Sequence, residues 1–339
     1  MNKELPLKER LVNVQPVVQL LCHSDKASSV SSFCTDVKEK TMMSNMRRMI
    51  IALMSIWLSV AAMAQPSKVK HVILIGCDGF GAYALPEAEM PQLKKLMQEG
   101  AWSLKARSVL PSSSAVNWAS LLMGAGPTVH GYTEWNSAVP EIPSADTSRL
   151  GLFPSVFSIL KEQRPQAMTA LIYSWQGIGP LVEKNATTIR VAGKDKDDFC
   201  VDTAIAIIRT HKPVLTFLHL DEPDGVGHNI GHRTPEYYKE LQKVDARIGR
   251  IVKAVEDAGI ANESVIIVTA DHGGKGKGHG GKSLDEVQIP WIVYGRSVQK
   301  GRALKQPIIT YDTAATIAWL LRLKMPESWR GLPVKEAFR

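Results

Sequence analysis

Five short runs of this chain are apolar almost without interruption: 71–76 (HVILIG), 169–174 (TALIYS), 214–220 (VLTFLHL), 264–270 (SVIIVTA) and 289–295 (IPWIVYG). A strand with one wet face alternates apolar and polar residues, so runs without alternation must be covered on both faces. The stretches between them carry helical spacing instead. After Pro235, residues Tyr238, Leu241, Val244, Ile248, Ile251, Val252 and Val255 recur mostly three or four apart, up to Gly259. Further helices are expected over 91–99, 153–163, 201–211 and 313–321. Buried strands alternating with amphipathic helices predict an α/β protein, a three-layer α/β/α sandwich with a mostly parallel central sheet. The Pro- and Ser-rich stretch 137–150 reads as a loop or small insertion. With no internal repeat and no separating linker, one domain is expected over residues 65–339.

Residues 46–65 read MRRMIIALMSIWLSVAAMAQ: two arginines, an apolar run, then Ala62-Met63-Ala64. That is the pattern of a secretory signal peptide, and the run is shorter than the ~20 residues a membrane span needs. The expectation is export, periplasmic or secreted, after cleavage near Ala64, with no span in the mature chain. Residues 1–45 are polar and aperiodic, and read as a start assigned too far upstream or a disordered leader. Of the 41 Lys and Arg and 33 Asp and Glu, residues 1–64 hold 8 and 5, leaving the rest at +5. A mild positive balance suits an anionic substrate, but no basic run points to duplex nucleic acid. Cys77 and Cys200 allow at most one disulfide in the mature chain.

In open α/β sheets, ligands bind just beyond the carboxyl ends of the strands. Three of the apolar runs end there in acids. The first leads into Asp78. The third leads into Asp221-Glu222-Pro223-Asp224, with His228 following, and the fourth into Asp271-His272-Gly273-Gly274, with His279 beyond. Each acid taken alone reads equally as a cap of a turn or helix. Three acids with three histidines on one edge instead suit a zinc-like divalent ion, which takes oxygen and imidazole nitrogen when cysteine is absent. Residues 276–283 (GKGHGGKS) formally match a phosphate-binding loop, G-x-x-x-x-G-K-[ST]. Residues 271–275 separate them from the strand and Pro290 cuts short any following helix, so they are read as a loop carrying His279. A nucleophile is suggested by Ser114, in Pro111-Ser112-Ser113-Ser114, where a turn leads into a helix whose amides can meet a phosphate; a capping serine is the alternative.

These motifs, in this order, resemble the alkaline phosphatase superfamily, and within it the type I phosphodiesterase / nucleotide pyrophosphatase branch, over about 69–338. The first strand delivers Asp78. The P-[ST]-x-[ST] segment ends on Ser114 and leads to Met123-Gly124 and His130-Gly131. P-D-x-x-G-H falls on Pro223, Asp224, Gly227 and His228, and D-H-G on Asp271, His272 and Gly273. The resemblance implies an alkaline-phosphatase-like fold and two divalent metal ions, usually zinc. One would be held by Asp78, Asp271 and His272 beside Ser114, the other by Asp224, His228 and His279. It further implies that Ser114 forms a covalent phospho-enzyme with a small-molecule phosphate ester.

The family asparagine that holds a phosphoryl oxygen corresponds to Asn136, one residue late, with Asn117 a second candidate whose alternative role is to hold the turn in shape. Residues 173–177 (YSWQG) lack the Lys-x-Arg pair of one monoesterase branch, which favours diesters, and Trp175 is a candidate stacking platform. The residues after Ser114 do not fit the C/S-x-P-x-R context of sulfatases. Phosphomonoester or phosphonate hydrolysis on the same site is the alternative activity. A non-catalytic exported module binding metal or a phosphorylated ligand is the alternative of another class. His71 and His219 are expected to be structural, and His232 to lie on the surface.

Overall fold

In the computed structural model, eight strands form one sheet in the order β4-β3-β5-β1-β6-β7-β2-β8. They are β1 (His71–Cys77), β2 (Ala101–Arg107), β3 (Thr169–Tyr173), β4 (Ile189–Ala192), β5 (Leu215–Leu220), β6 (Ser264–Thr269), β7 (Gln288–Gly295) and β8 (Arg302–Ala303). The structure describes residues 69–339 and Met43, and the former lie in the compact unit Pro66–Arg339. Apart from Met43, the stretches read above as leader and signal peptide lie outside the described residues. All neighbouring strands run parallel except β7, which is antiparallel to both β6 and β2.

Parallel neighbours need crossovers, and helices supply them on both faces. The helices Pro91–Glu99, Asp197–His211 and Pro235–Asp257 pack together in one layer; Ser114–Met123, Val156–Gln163 and Asp312–Leu320 pack together in the other. This is the three-layer α/β/α sandwich read from the sequence. The five expected strands appear within a residue or two, and strands β3, β5 and β6 are buried throughout. The helix expected over 201–211 begins earlier, at Asp197, with Asp197 and Asp198 in its first turn, where carboxylates meet the positive end of the helix dipole. The helix expected over 153–163 begins at Val156, because Ser155 and Ser158 form a capping box across its first turn. Strands β2, β4 and β8 went unread. Strand β2 alternates buried and half-exposed residues and includes the exposed Lys105, while β4 is half-buried throughout and β8 has two residues. Residues 276–283 form no helix-opening phosphate loop, since only the single turn Leu284–Val287 follows them.

The register sets the edge where chemistry can occur. Cys77 pairs with Leu220 and Gly76 with Thr269, so β1, β5 and β6 end level and deliver Asp78, Asp221 and Asp271 to one rim. Beneath that rim lies Trp118, fully buried on a helix whose ten residues are all buried. Its indole crosses β1 so closely that a Cβ on Gly76 would sit 2.4 Å from its ring. Cys77 and Cys200 are both buried and free.

Gly76→Ala should therefore destabilise the protein by about 1–3 kcal/mol, because the added methyl group must displace a packed indole. Urea unfolding of the two proteins checks this; an unchanged midpoint would mean the indole yields freely.

Candidate metal-binding active site

Asp78 leaves β1 with one oxygen engaged: its Oδ2 accepts from Trp118 Nε1 at 3.0 Å and lies 3.2 Å from His219 Nε2. Burial alone would raise its pKa, but the His219 hydrogen bond, the His272 and His219 charges and the Trp118 bond outweigh it, and the carboxyl group titrates well below the usual range. Asp271 leaves β6 and accepts from the Gly79 amide through Oδ1 at 3.2 Å. Its neighbour His272 puts Nε2 3.4 Å from Asp78 Oδ1, 3.2 Å from Asp271 Oδ2 and 3.1 Å from Ser114 Oγ. Burial, with the charges of Asp78 and Asp224, pushes Asp271 well above the ordinary carboxylate range.

Asp224 opens the short helix Asp224–Asn229, and the i,i+4 spacing brings His228 Nε2 to 3.2 Å from Asp224 Oδ2. His279 arrives from the loop before Leu284, with Nε2 3.9 Å from the same oxygen. The rings of His272 and His279 stack at 3.8 Å, so the two clusters are adjacent. Gly79 allows this closeness: its φ is +67°, and a Cβ there would lie 2.5 Å from Asp224 Oδ1.

Both clusters suit a divalent cation. In each, one ligand atom per residue lies within 4.8 Å of the others. Asp78 Oδ1, Asp224 Oδ1 and Asp271 Oδ2 are buried acceptors with no donor. All three histidines turn Nδ1 to a main-chain carbonyl: His272 to Gly273 (2.8 Å), His228 to Lys277 (3.0 Å) and His279 to Ser112 (3.1 Å). A carbonyl only accepts, so each Nδ1 carries a proton and each ring turns its Nε2 toward the carboxylates; the hydrogen bond to Asp224 pushes the His228 pKa up to about 9. A carbonyl holding the outer imidazole nitrogen is how metal-bound histidines are oriented. Carboxylate oxygen with imidazole nitrogen is a zinc-type donor set.

The sequence-derived residues Asp78, Ser114, Asp271, His272, Asp224, His228 and His279 thus meet at one rim. Asn117 does not serve as a phosphoryl contact. It is buried, its Oδ1 accepts from Val109 N (2.7 Å), and its Nδ2 faces the carbonyls of Val109, Pro111 and Ser113 at 3.2, 3.1 and 3.0 Å. The whole carboxamide holds the turn before Ser114. Asn136 is exposed, next to Trp135, whose carbonyl accepts from Ala115 N at 3.0 Å. Trp175 is half-buried against the core, 6.5 Å from the His219 ring. His71 is structural, its Nδ1 donating to Pro213 O at 2.8 Å. His219 is more than a core residue, since it fixes Asp78.

His232 is a correction. It is buried rather than on the surface, with an unpartnered Nε2 4.0 Å from the equally unpartnered Asp224 Oδ1. Its Nδ1 meets Tyr83 Oη at 3.2 Å. Gly227 and Gly274 make room for it, since a Cβ on either would lie 2.5 or 2.0 Å from its Nε2. The spacing Asp224-x-x-x-His228-x-x-x-His232 was the signal in the sequence. Beside the second cluster opens a cavity of about 620 Å³, walled in part by Ser113, Glu134, Trp135, His228 and His279.

A mostly parallel sheet carrying two acid–histidine clusters and a helix-opening serine at its carboxyl rim places the protein among alkaline-phosphatase-like folds. Murine ectonucleotide pyrophosphatase / phosphodiesterase 5, as an inactive variant in complex with AMP, superposes with a TM-score of 0.66 at 16% identity, covering 80% of this chain and all of that one. A 2-O GAG sulfatase has a TM-score of 0.64 at 13% identity, covering 80% and 74% of the two chains. The chain belongs to the type I phosphodiesterase / nucleotide pyrophosphatase family, whose sequence pattern matches residues 72–277. Among relatives in sequence, venom phosphodiesterase 2 of Crotalus adamanteus is 25% identical over 214 residues, 60% of this chain and 26% of its own. Ectonucleotide pyrophosphatase/phosphodiesterase family member 3 of Rattus norvegicus is 24% identical over 220 residues, 60% of this chain and 24% of its own. The chain thus matches about a quarter of the length of these relatives.

His232→Ala should weaken zinc binding at the Asp224–His228–His279 cluster roughly 10- to 100-fold, the usual cost of losing a group that orients a ligand. Competition with a chromogenic chelator reads the two sites separately. Equal affinities in variant and parent would deny His232 any part in the site.

Proposed function

We propose that this chain is an exported, metal-dependent hydrolase of phosphodiesters with Ser114 as nucleophile. The observation that carries the reading is the position of Ser114 Oγ, 3.1 Å from the inward-facing Nε2 of His272, within the cluster that suits a cation. Divalent ions held by Asp78, Asp271 and His272 and by Asp224, His228 and His279, zinc by donor type, would lower the hydroxyl pKa and offset charge on the phosphoryl oxygens.

The chain itself supplies position. Ser114 is the first residue of its helix; the Ala115 amide donates to the Trp135 carbonyl at 3.0 Å, which leaves the amides of Ser114 and Val116 to meet phosphoryl oxygens. The amide of Asn117, in contrast, is taken by the Ser113 carbonyl at 3.0 Å. Trp118 and His219 hold Asp78, and the Asn117 carboxamide fixes the turn from which Ser114 projects. Ser114 Oγ attacks phosphorus, forming an Oγ–P bond as the bond to the departing ester oxygen breaks; the hydroxyl proton goes to solvent and the leaving alkoxide gains one from water. A water molecule then attacks the phosphorus of this serine-bound diester, which still carries the second ester arm; the Oγ–P bond breaks, a phosphomonoester leaves and the hydroxyl regains a proton.

Diesters are favoured because residues 173–177 offer no Lys-x-Arg pair to hold the additional phosphoryl charge of a monoester. The cavity beside the second cluster also leaves room for another ester arm. Export rests on the signal-like stretch 46–64, and among the described residues no helix is long and apolar enough to cross a membrane.

Ser114→Ala should lower kcat on bis(p-nitrophenyl) phosphate roughly a thousandfold or more while bound zinc stays near two per chain. Full turnover in the variant would remove Ser114 from the mechanism and leave another nucleophile, whereas a parent that binds zinc but turns over no ester would leave a binding module. Chelation should abolish activity and zinc restore it. A clear preference for p-nitrophenyl phosphate over the diester would shift the reading to a monoesterase.

A further inference from the structure

Building on the phosphodiesterase reading, we infer that Glu134 and Trp135 select the second ester arm of the substrate. They admit neutral or cationic arms and discriminate against arms that carry another phosphate. Both residues wall the cavity that adjoins His228 and His279. Trp135 is 58% exposed although indoles are usually well buried, and its backbone is not free to drift: its carbonyl accepts from Ala115 N, one residue beyond Ser114, at 3.0 Å. Glu134 is pinned in the same way, its amide donating to Ser137 Oγ at 2.9 Å while its carbonyl lies 3.0 Å from that oxygen. The main chain that carries an indole and a carboxylate is therefore held at a fixed offset from the nucleophile.

The charge of this wall runs against the rest of the molecule. The chain carries a net +8, yet among the described residues lining the cavity there is no lysine or arginine. Lys277, next in sequence to the wall residue Gly278, turns its ammonium to the Asn229 carbonyl at 2.9 Å. A site that took an arm with a further phosphate would be expected to meet it with arginine or lysine donors. Here it would meet a carboxylate. An indole beside a carboxylate instead attracts a quaternary ammonium, through the ring face and the charge together, and accepts a flat neutral group by stacking. Ser113, the residue before the nucleophile, also contributes to this wall, which places the cavity directly beside Ser114.

The test uses three p-nitrophenyl diesters sharing one leaving group and differing in the retained arm: phosphorylcholine, thymidine 5′-phosphate, and thymidine 5′-phosphate bearing a 3′-phosphate. The zinc-loaded full chain should show kcat/KM for the first two about three- to fivefold or more above the third, the range of a solvent-screened charge effect. Glu134→Gln should narrow that ratio and Glu134→Lys invert it. Trp135→Ala should lower kcat/KM for the first two arms more than for the third. Raising salt to 0.5 M should compress the parent's ratio. A ratio that Glu134→Lys leaves unchanged, in protein that turns over the diesters, overturns this inference and leaves the phosphodiesterase reading standing. Failure of the parent to hydrolyse any of the three overturns both.

Discussion

Three carboxylates, Asp78, Asp224 and Asp271, converge at the carboxyl rim of the sheet, each with one buried oxygen that no protein donor reaches. Charges so placed repel one another and lack the water that would screen them, an arrangement folding tolerates only if positive charge is supplied. Everything nearby accommodates this. Trp118 and His219 stabilise one carboxylate, and the Gly79 amide bonds a second. The Nε2 atoms of His228, His272 and His279 face into the same space. The parallel register creates the difficulty by ending β1, β5 and β6 at one level, and the same register makes the site possible.

The support around these residues comes largely from the main chain. Carbonyls of Gly273, Lys277 and Ser112 fix the three ligand histidines, and Asn117 clamps the turn before Ser114 through backbone partners alone. Each catalytic candidate therefore rests on loop geometry as much as on neighbouring side chains. Glycine matters where two loops nearly touch, as at Gly79 against Asp224 and at Gly227 and Gly274 around His232.

The buried centre of the fold was legible because doubly covered strands leave an unbroken apolar imprint, and the acids of the rim were legible because they follow those strands directly. The edges were not. Strand β2 carries Lys105 and a serine, and β4 is half-wet, so neither has a period that sequence alone can separate from loop. Asn117 has the chemistry of a phosphoryl ligand and of a turn clamp, and sequence alone does not separate the two; the carbonyls around its carboxamide favour the clamp. His232 escaped notice because a histidine near a helix-starting proline reads as surface, whereas the loop folds it back under Asp224.

The two clusters differ in how their parts are carried. Asp78 and Asp271 follow the central strands β1 and β6 directly, while His279 rides on a glycine-rich segment whose isolated bridge joins Lys275 to Gly278. Strand ends held by ladders on both sides stay in place through most local fluctuations. The His279 segment is tied instead by single bonds to other loops, from His232 N to Gly276 O at 2.7 Å and from Ser112 Oγ to Gly281 O at 2.6 Å. The second of these ties runs to the turn before Ser114, so the position of His279 and the position of the helix-opening serine are set together rather than one by one.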